Sequence, residues 1–475
     1  MKSLQSIFFL ACISFLFVGC TSNLPHRTYL PVSPTDNTNR PNKWYLASID
    51  PKTDCTIETN AGFNIGYVEF DDEGWFWSYR QWLAVKNEIA TEAAHDTNGL
   101  TILVFVHGWK NNADFDNDNV ETFRAALTNL SISMGNRKVF GVYAGWRGWS
   151  VKWDYFPIPF GEELSFYNRK NAAERIGHQG SATQVFTELE QMQREFNTRT
   201  NFSRTQLVII GHSFGGQLVF SAISQILIER LVDATNPNGD GYVRSLGDLV
   251  ILLNPAFEAS QYNNLVSLAT APNLHYRKDQ QPVLAILTSK NDKPNSFWFP
   301  LGRHLSTLNE RTRPGRGTKE VWLFNTAKAE TQDEKTAILK TVGHDADYID
   351  YDLTYTNWSQ SAQEEANNVN FTGFKKPTYS LRSTLLTNNV TTNMVPYVFS
   401  HQSGDGGYAF VLKHRTGCAY GFRPGDPILD VAVDTKIMNG HSDIANTNLI
   451  QFLRDFILFN HTNNLYQATN GMHSE

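Results

Sequence analysis

One serine in the chain stands where a hydroxyl can be made into a nucleophile. Gly211-His212-Ser213-Phe214-Gly215 is a GxSxG pentapeptide set between the apolar run QLVII (206–210) and the apolar segment QLVFSAISQILIERLV (217–232). A sharp strand-to-helix turn needs glycine on both sides of the serine. There the backbone can approach closely while the serine is held in a strained, exposed position. The N-terminus of the following helix favours developing negative charge. The Phe214 amide would face the oxyanion of a tetrahedral intermediate. A serine hydroxyl also needs a base, and the base needs an orienting carboxylate. His275, His304, His344, His401, His414 and His441 all follow Ser213. No HExxH or similar ligand cluster is present, and no strand-linked GxGxxG with an acidic partner. The expected chemistry therefore uses no metal and no cofactor. NPNGDGY (236–242) has the density of a calcium loop but has Gly247 where an acidic ligand is required, so it reads as a surface turn.

The elements that must carry these residues alternate. LTILVFV (100–106), KVFGVYAGW (138–146), QLVII, DLVILLNPA (248–256) and PVLAILTSKND (282–292) are short apolar runs of the kind buried on both faces of a sheet. ERIGHQGSATQVFTELEQMQREFN (174–197) places Ala182, Val185, Phe186 and Leu189 on one side of a helix. This alternation predicts an α/β fold with a mostly parallel central sheet and helices on both faces. GFNIGYVEF and EGWFWSYR suggest an antiparallel hairpin at the edge of that sheet. Residues 294–400, rich in Pro, Asn, Thr and aromatic side chains, break the rhythm and are read as a large insertion or lid over the active edge. YAFVLKH (408–414) and PILDVAVD (427–434) supply the last strands, and NLIQFLRDFILFN (448–460) a terminal amphipathic helix.

His107-Gly108-Trp109 at the end of LTILVFV, together with the pentapeptide, resembles the α/β-hydrolase superfamily over about residues 60–290 and 405–462. The opening ILVFVHGWKNN is similar to that of bacterial hydrolases of unknown function. The resemblance implies an α/β-hydrolase fold with Trp109 and Phe214 as the two oxyanion amides and His107 as a residue that shapes their loop. The family order of serine, acid, histidine points to Asp292, at the end of PVLAILTSKND, and to His441, before the terminal helix. Glu258, past the preceding strand, is the rival acid. Asp443 is too near His441 in sequence to orient it and is expected to cap the final helix.

The resulting expectation is a serine hydrolase, a carboxylesterase or lipase-like enzyme with an acyl-enzyme on Ser213. Trp146, Trp149, Phe297 and Trp298 are candidate walls of an acyl or aromatic pocket. The same residues equally suit the packing of a lid. The partner is then a small-molecule or lipid ester. Peptidase, amidase and thioesterase chemistry use the same three residue types. A reading of a different class is a non-catalytic lipid-binding or tethering module of the cell envelope on a hydrolase scaffold. Labelling of Ser213 by a serine-directed phosphonate separates the two.

Net charge is -6 with no long basic run, which excludes nucleic acid as a partner. Lys2, the apolar stretch Ile7–Val18 and the ending FVGC (17–20) form a secretory signal that resembles the bacterial lipoprotein type. It implies removal of residues 1–19, acylation of Cys20 (palmitate and related chains) and a linker over 20–43. The hydrolase domain would then occupy 44–475. It also implies attachment to the membrane, an outer-membrane lipoprotein facing the periplasm or the exterior. Cys55 and Cys418 are a candidate disulfide in such a compartment.

Overall fold

The structure is a computed structural model. It describes residues 24–30, 50–149, 161–199, 203–236, 239–271, 280–292, 319–323, 326–330, 340–357, 397–403, 406–415 and 425–470, with a few single positions between them. In chain order the elements are β1 (Ile57–Asn60), β2 (Phe63–Glu69), α1 (Tyr79–His95), β3 (Leu100–Val106), α2 (Asp118–Met134), β4 (Lys138–Gly145), α3 (Gly161–His178), α4 (Ser181–Asn197), β5 (Gln206–His212), α5 (Phe214–Thr235), β6 (Leu249–Leu253), α6 (Ala259–Ala269) and β7 (Leu284–Ser289). Then come β8 (Lys319–Leu323), β9 (Thr326–Glu330), β10 (Tyr351–Asn357), β11 (Tyr397–Ser403), β12 (Gly406–His414), β13 (Ile428–Val433) and α7 (Thr447–Asn470).

The described strands form an 11-stranded sheet in the order β1-β2-β4-β3-β5-β6-β7-β13-β10-β12-β11, with β8 and β9 paired apart. From β2 to β10 every pairing is parallel. Only β1, β12 and β11 run antiparallel to their neighbours. The parallel strands from β2 to β13 are buried on both faces because helices cover both, whereas β10 is buried on alternate residues only. Trp82, Val85 and Ile89 of α1, Phe186 and Leu189 of α4 and Leu218 and Ile223 of α5 pack on one face. Phe123 and Leu127 of α2 and Leu449, Phe452 and Phe456 of α7 pack on the other. This is the mixed, mostly parallel α/β-hydrolase architecture, with an inserted region before the last strands.

Several local expectations change. β2 pairs antiparallel with β1, not with 73–80, which is a turn leading into α1; only a single bridge, Phe70 to Phe76, remains of the expected hairpin. The helix α1 was missed, although Trp82, Val85, Ile89 and Ala93 keep one face buried at helical spacing. The run 174–197 is two helices. Gly180 adopts φ +98°, a left-handed conformation that ends one helix and starts the next. The region 294–400 is not wholly outside the sheet. β10 falls inside it and lies beside β13, because YDLTYTN alternates and puts Tyr351 and Leu353 into the core. Asp443 does not cap α7. Asn446 does so, accepting the Asn448 amide at 2.9 Å, whereas Asp443 accepts the Asn439 amide at 2.7 Å.

The membrane, outer-membrane, lipoprotein and palmitate reading is corrected. Among the described residues no helix is long and apolar enough to cross a membrane. Cys20, on which the anchor depended, lies outside the described residues, as do residues 1–23 as a whole. Nothing among the described residues supports a lipid tether. Cys55 is a free, half-buried thiol whose Sγ lies 3.5 Å from the Lys52 carbonyl, and Cys418 lies outside the described residues.

Candidate active site

Ser213 occupies the tight turn between β5 and α5 with φ +56°, an uncommon conformation for a residue with a side chain. It is held there by its neighbours. Its amide donates to the Leu253 carbonyl at 2.9 Å, and its carbonyl accepts from the Ala256 amide at 3.1 Å and from Gln217 at 3.2 Å. Two glycines make the turn possible. A Cβ on Gly215 would lie 2.1 Å from the Val106 carbonyl oxygen, and one on Gly211 would lie 2.7 Å from the Gly215 carbonyl oxygen. The serine itself is 3% exposed.

The structure brings Ser213, His441 and Asp292 together. The Ser213 hydroxyl lies 2.7 Å from His441 Nε2, and His441 Nδ1 lies 3.0 Å from Asp292 Oδ1. A carboxylate only accepts, so Nδ1 carries the proton and Nε2 is left as an acceptor for the serine hydroxyl. Asp292 sits just past β7 with its side chain fully buried. The main chain of Asp292 is in turn hydrogen-bonded by His344, whose ring also meets Thr341 Oγ1 at 2.8 Å. Burial keeps that imidazole below the ordinary histidine range.

The rival acid is occupied elsewhere. Glu258 pairs with Lys170 of α3 at 2.9 Å, both side chains being 4% exposed. Gln261 donates to the same carboxylate at 2.8 Å. Among the other histidines, His414 lies in β12 with its ring edge-on to Tyr351, away from Ser213. His275 and His304 lie outside the described residues, and of His401 only its place in β11 is described.

The loop after β3 lies against the nucleophile. A Cβ on Gly108 would be 2.8 Å from Ser213 Cβ, so only glycine allows this approach. His107 is fully buried and shapes the loop. Its Nδ1 donates to the Gly108 carbonyl at 2.9 Å and its Nε2 accepts the Trp146 amide at 3.0 Å. Desolvation lowers its pKa to about 4, so it is neutral at ordinary pH. Neither the Trp109 nor the Phe214 amide donates to a backbone acceptor among the described residues.

The aromatic side chains divide. Trp146 is 2% exposed, stacks on His107 and donates its indole N–H to the His107 carbonyl at 3.0 Å. It braces His107 and the loop after β3 and is not a pocket wall, which corrects its expected role. Trp109 meets Phe166 edge-on at 5.2 Å, and Phe166 meets Phe214 at 4.7 Å, so three rings run in series beside the serine. Lys110 Nζ lies 4.5 Å from the centre of the Trp109 ring and 5.5 Å from that of Trp149. Phe297 and Trp298 lie outside the described residues.

Two residues at the site, Asn254 and Ser289, were not singled out from sequence; His344 was one of the histidines considered as the base. Asn254 and Ser289 had a visible signal. Each is a polar side chain at the end of an apolar strand run, LVILLN and LAILTS, where it meets the loops of the site.

Residues 83–296 match a protein family described as "Alpha/beta hydrolase of unknown function (DUF900)". No curated protein matches the chain. Among solved structures, a phospholipase PlaB from Legionella pneumophila in complex with thio-NAD is similar at 15% identity and a TM-score of 0.20, over 42% of this chain and 39% of that one. An uncharacterized protein from Pseudomonas aeruginosa is similar at 11% identity and a TM-score of 0.19, over 48% of this chain and 42% of that one. The chain thus spans about two fifths of the length of either structure.

Proposed function

We propose that this protein, whose fold is that of the alpha/beta-hydrolase superfamily, is a serine hydrolase that cleaves carboxylic esters through an acyl-enzyme on Ser213. One observation carries the reading: the unbroken hydrogen-bonded run from Asp292 through His441 to the Ser213 hydroxyl. Structural packing alone has no need to set a buried serine, a partly exposed histidine and a buried aspartate in line at the ends of parallel strands.

In this mechanism His441 Nε2 takes the Ser213 proton as Oγ attacks the ester carbonyl. Asp292 holds the Nδ1 proton and stabilises the imidazolium that forms. The Trp109 and Phe214 amides bind the oxyanion, and the imidazolium protonates the departing alkoxide. Water, deprotonated by His441, then attacks the acyl carbonyl and releases the acid and Ser213. The preference for a lipid ester rested on the membrane anchor and is dropped with it. The proposed substrate class is the carboxylic ester, with the partly buried Trp109 ring as an apolar flank.

The test is hydrolysis of p-nitrophenyl esters from acetyl to palmitoyl by the wild type and by Ser213→Ala. The expected result is turnover that falls at least about 10⁴-fold in the variant. Turnover that survives Ser213→Ala, or none on any chain length, overturns the ester reading.

A further inference from the structure

His441 belongs to a stretch, residues 434–446, that contains no helix or strand. A base on such a loop keeps its geometry only if something outside the loop holds it. Three buried side chains at the ends of three adjacent parallel strands do so. Asn254, directly after β6, donates from Nδ2 to the His441 carbonyl at 2.8 Å and lies 3.1 Å from the Gly440 carbonyl. Its Oδ1 accepts the Ser289 amide at 2.8 Å. His212, the last residue of β5, donates from Nε2 to the same His441 carbonyl at 2.9 Å. Ser289, the last residue of β7, donates to the Met438 carbonyl at 2.6 Å and accepts the Gly440 amide at 3.0 Å.

Two features go beyond what packing requires. Asn254 holds φ +43° while fully buried, a conformation that is costly for a non-glycine residue unless its surroundings impose it. His212 is 4% exposed, and its Nδ1 is buried without a partner among the described residues, facing the position where a Gly108 Cβ would stand. Burial takes its pKa down to about 3, so the ring stays neutral with its proton on Nε2. A phenylalanine would fill this space without an unmet acceptor. What the imidazole adds is the donor to the His441 carbonyl.

We propose that Asn254 and His212 are positioning residues for the base: two donors converge on one carbonyl and fix the His441 main chain so that Nε2 stays in reach of Ser213 Oγ. The proposal rests on the serine-hydrolase reading and adds the device that aims its base. Both act through the His441 main chain, and the His212 ring also lies against the His441 ring, centroids 5.4 Å apart.

The full-length protein is compared with Asn254→Ala, Asn254→Asp, His212→Phe and His212→Gln. Three quantities are read: the rate of Ser213 phosphonylation by a fluorophosphonate, kcat against KM on the best p-nitrophenyl ester, and the far-downfield proton resonance of His441 Nδ1–H. Asn254→Ala is expected to slow phosphonylation and kcat about 10- to 100-fold, with KM within about twofold and the resonance broadened. Asn254→Asp keeps the acceptor for Ser289 but loses the donor, so it should be as impaired as the alanine variant. Full activity in Asn254→Asp would assign the side chain to strand packing and overturn the proposal. His212→Phe should slow the reaction and His212→Gln, which keeps a donor, should recover part of it. Rates within about twofold of wild type in both Asn254→Ala and His212→Phe would also overturn it. If Asn254→Ala does not fold, the His212 pair decides. If the wild type fails to react with the phosphonate, the hydrolase reading falls, and the resonance still decides the clamp: retained in Asn254→Ala and His212→Phe, it refutes it; lost, it upholds it.

Discussion

Asp292 and His441 stand 149 residues apart in the chain and meet at 3.0 Å, Oδ1 to Nδ1, with the aspartate side chain wholly shielded from water. β7 and β13 are neighbours in the sheet, so the loop that follows each strand opens at the same edge. The carboxylate dictates which imidazole nitrogen carries the proton. Asp292→Asn keeps the shape but can donate to Nδ1, which would leave the proton on Nε2, facing the serine. The expected outcome is a kcat lower by about 10³- to 10⁴-fold on the best ester, with the fold intact by circular dichroism. An asparagine variant with near-normal kcat would remove Asp292 from the mechanism.

The parts of the site that depend on local patterning were legible in the sequence, and those that depend on contacts between distant loops were not. The elbow around Ser213 was readable because a strand, two glycines and a helix must adjoin there in sequence. The parallel strands were readable because burial on both faces leaves continuous apolar runs. Asn254 and His212 act through the main chain of His441, and no spacing rule joins them to it. β10 was obscured by its Pro- and Asn-rich surroundings, although YDLTYTN alternates in a regular way. Trp146 looked like a pocket residue from its place after β4, but its indole and its amide are both used to hold His107. Glu258 was a fair rival acid until its partner Lys170, 88 residues earlier, came into view.

Gly215 has no tolerance for a side chain. A methyl group there would press on two backbone carbonyls, at 2.1 Å from Val106 and 2.5 Å from His107, and neither can swing aside as a side chain would. Gly215→Ala is therefore expected to cost about 3 kcal/mol or more, at the upper end of overpacking effects. It should also slow phosphonylation of Ser213, because the elbow and the end of β3 must separate. Urea unfolding and labelling rates measured on the same preparation check both. Unchanged stability would mean that β3 yields more easily than its central place in the sheet implies.

Lys170 and Glu258 form an ion pair that is almost closed to water and joins α3 to the loop after β6. Removing one partner strands the other charge. Lys170→Met is expected to destabilise the protein by about 3–5 kcal/mol, while Lys170→Met with Glu258→Leu should recover much of that loss. On the proposed mechanism Glu258→Gln, if it folds, should retain ester turnover, since Glu258 is engaged by Lys170 and Gln261 and not by His441. Denaturant midpoints give the first comparison, and a turnover assay the second. Loss of activity in folded Glu258→Gln would reopen its claim to orient the base.

Buried titratable groups pull stability in opposite directions with pH. Desolvation lowers the pKa of His107 to about 4 and that of His212 to about 3, against 6.5 for the free side chain. The unfolded chain then binds protons that the folded one refuses. Their contribution is fully present above pH 6.5 and is lost as pH falls toward the folded values, at about 1.4 kcal/mol per pH unit for each group. Asp350 and Asp430 act the other way. Desolvation holds both well above 3.8, and neither Asp430 oxygen has a partner among the described residues. For them the folded chain keeps a proton that the unfolded one releases. Their contribution is complete below pH 3.8 and declines as pH rises through the folded values. Asp430→Asn removes one such loss without changing shape. The expected result is a variant whose stability gain over wild type grows as pH is raised from about 4, measured by urea unfolding across that range. A pH-independent difference would mean that Asp430 is ionised in the folded protein, which its sealed position at the centre of β13 would then have to accommodate with a cation.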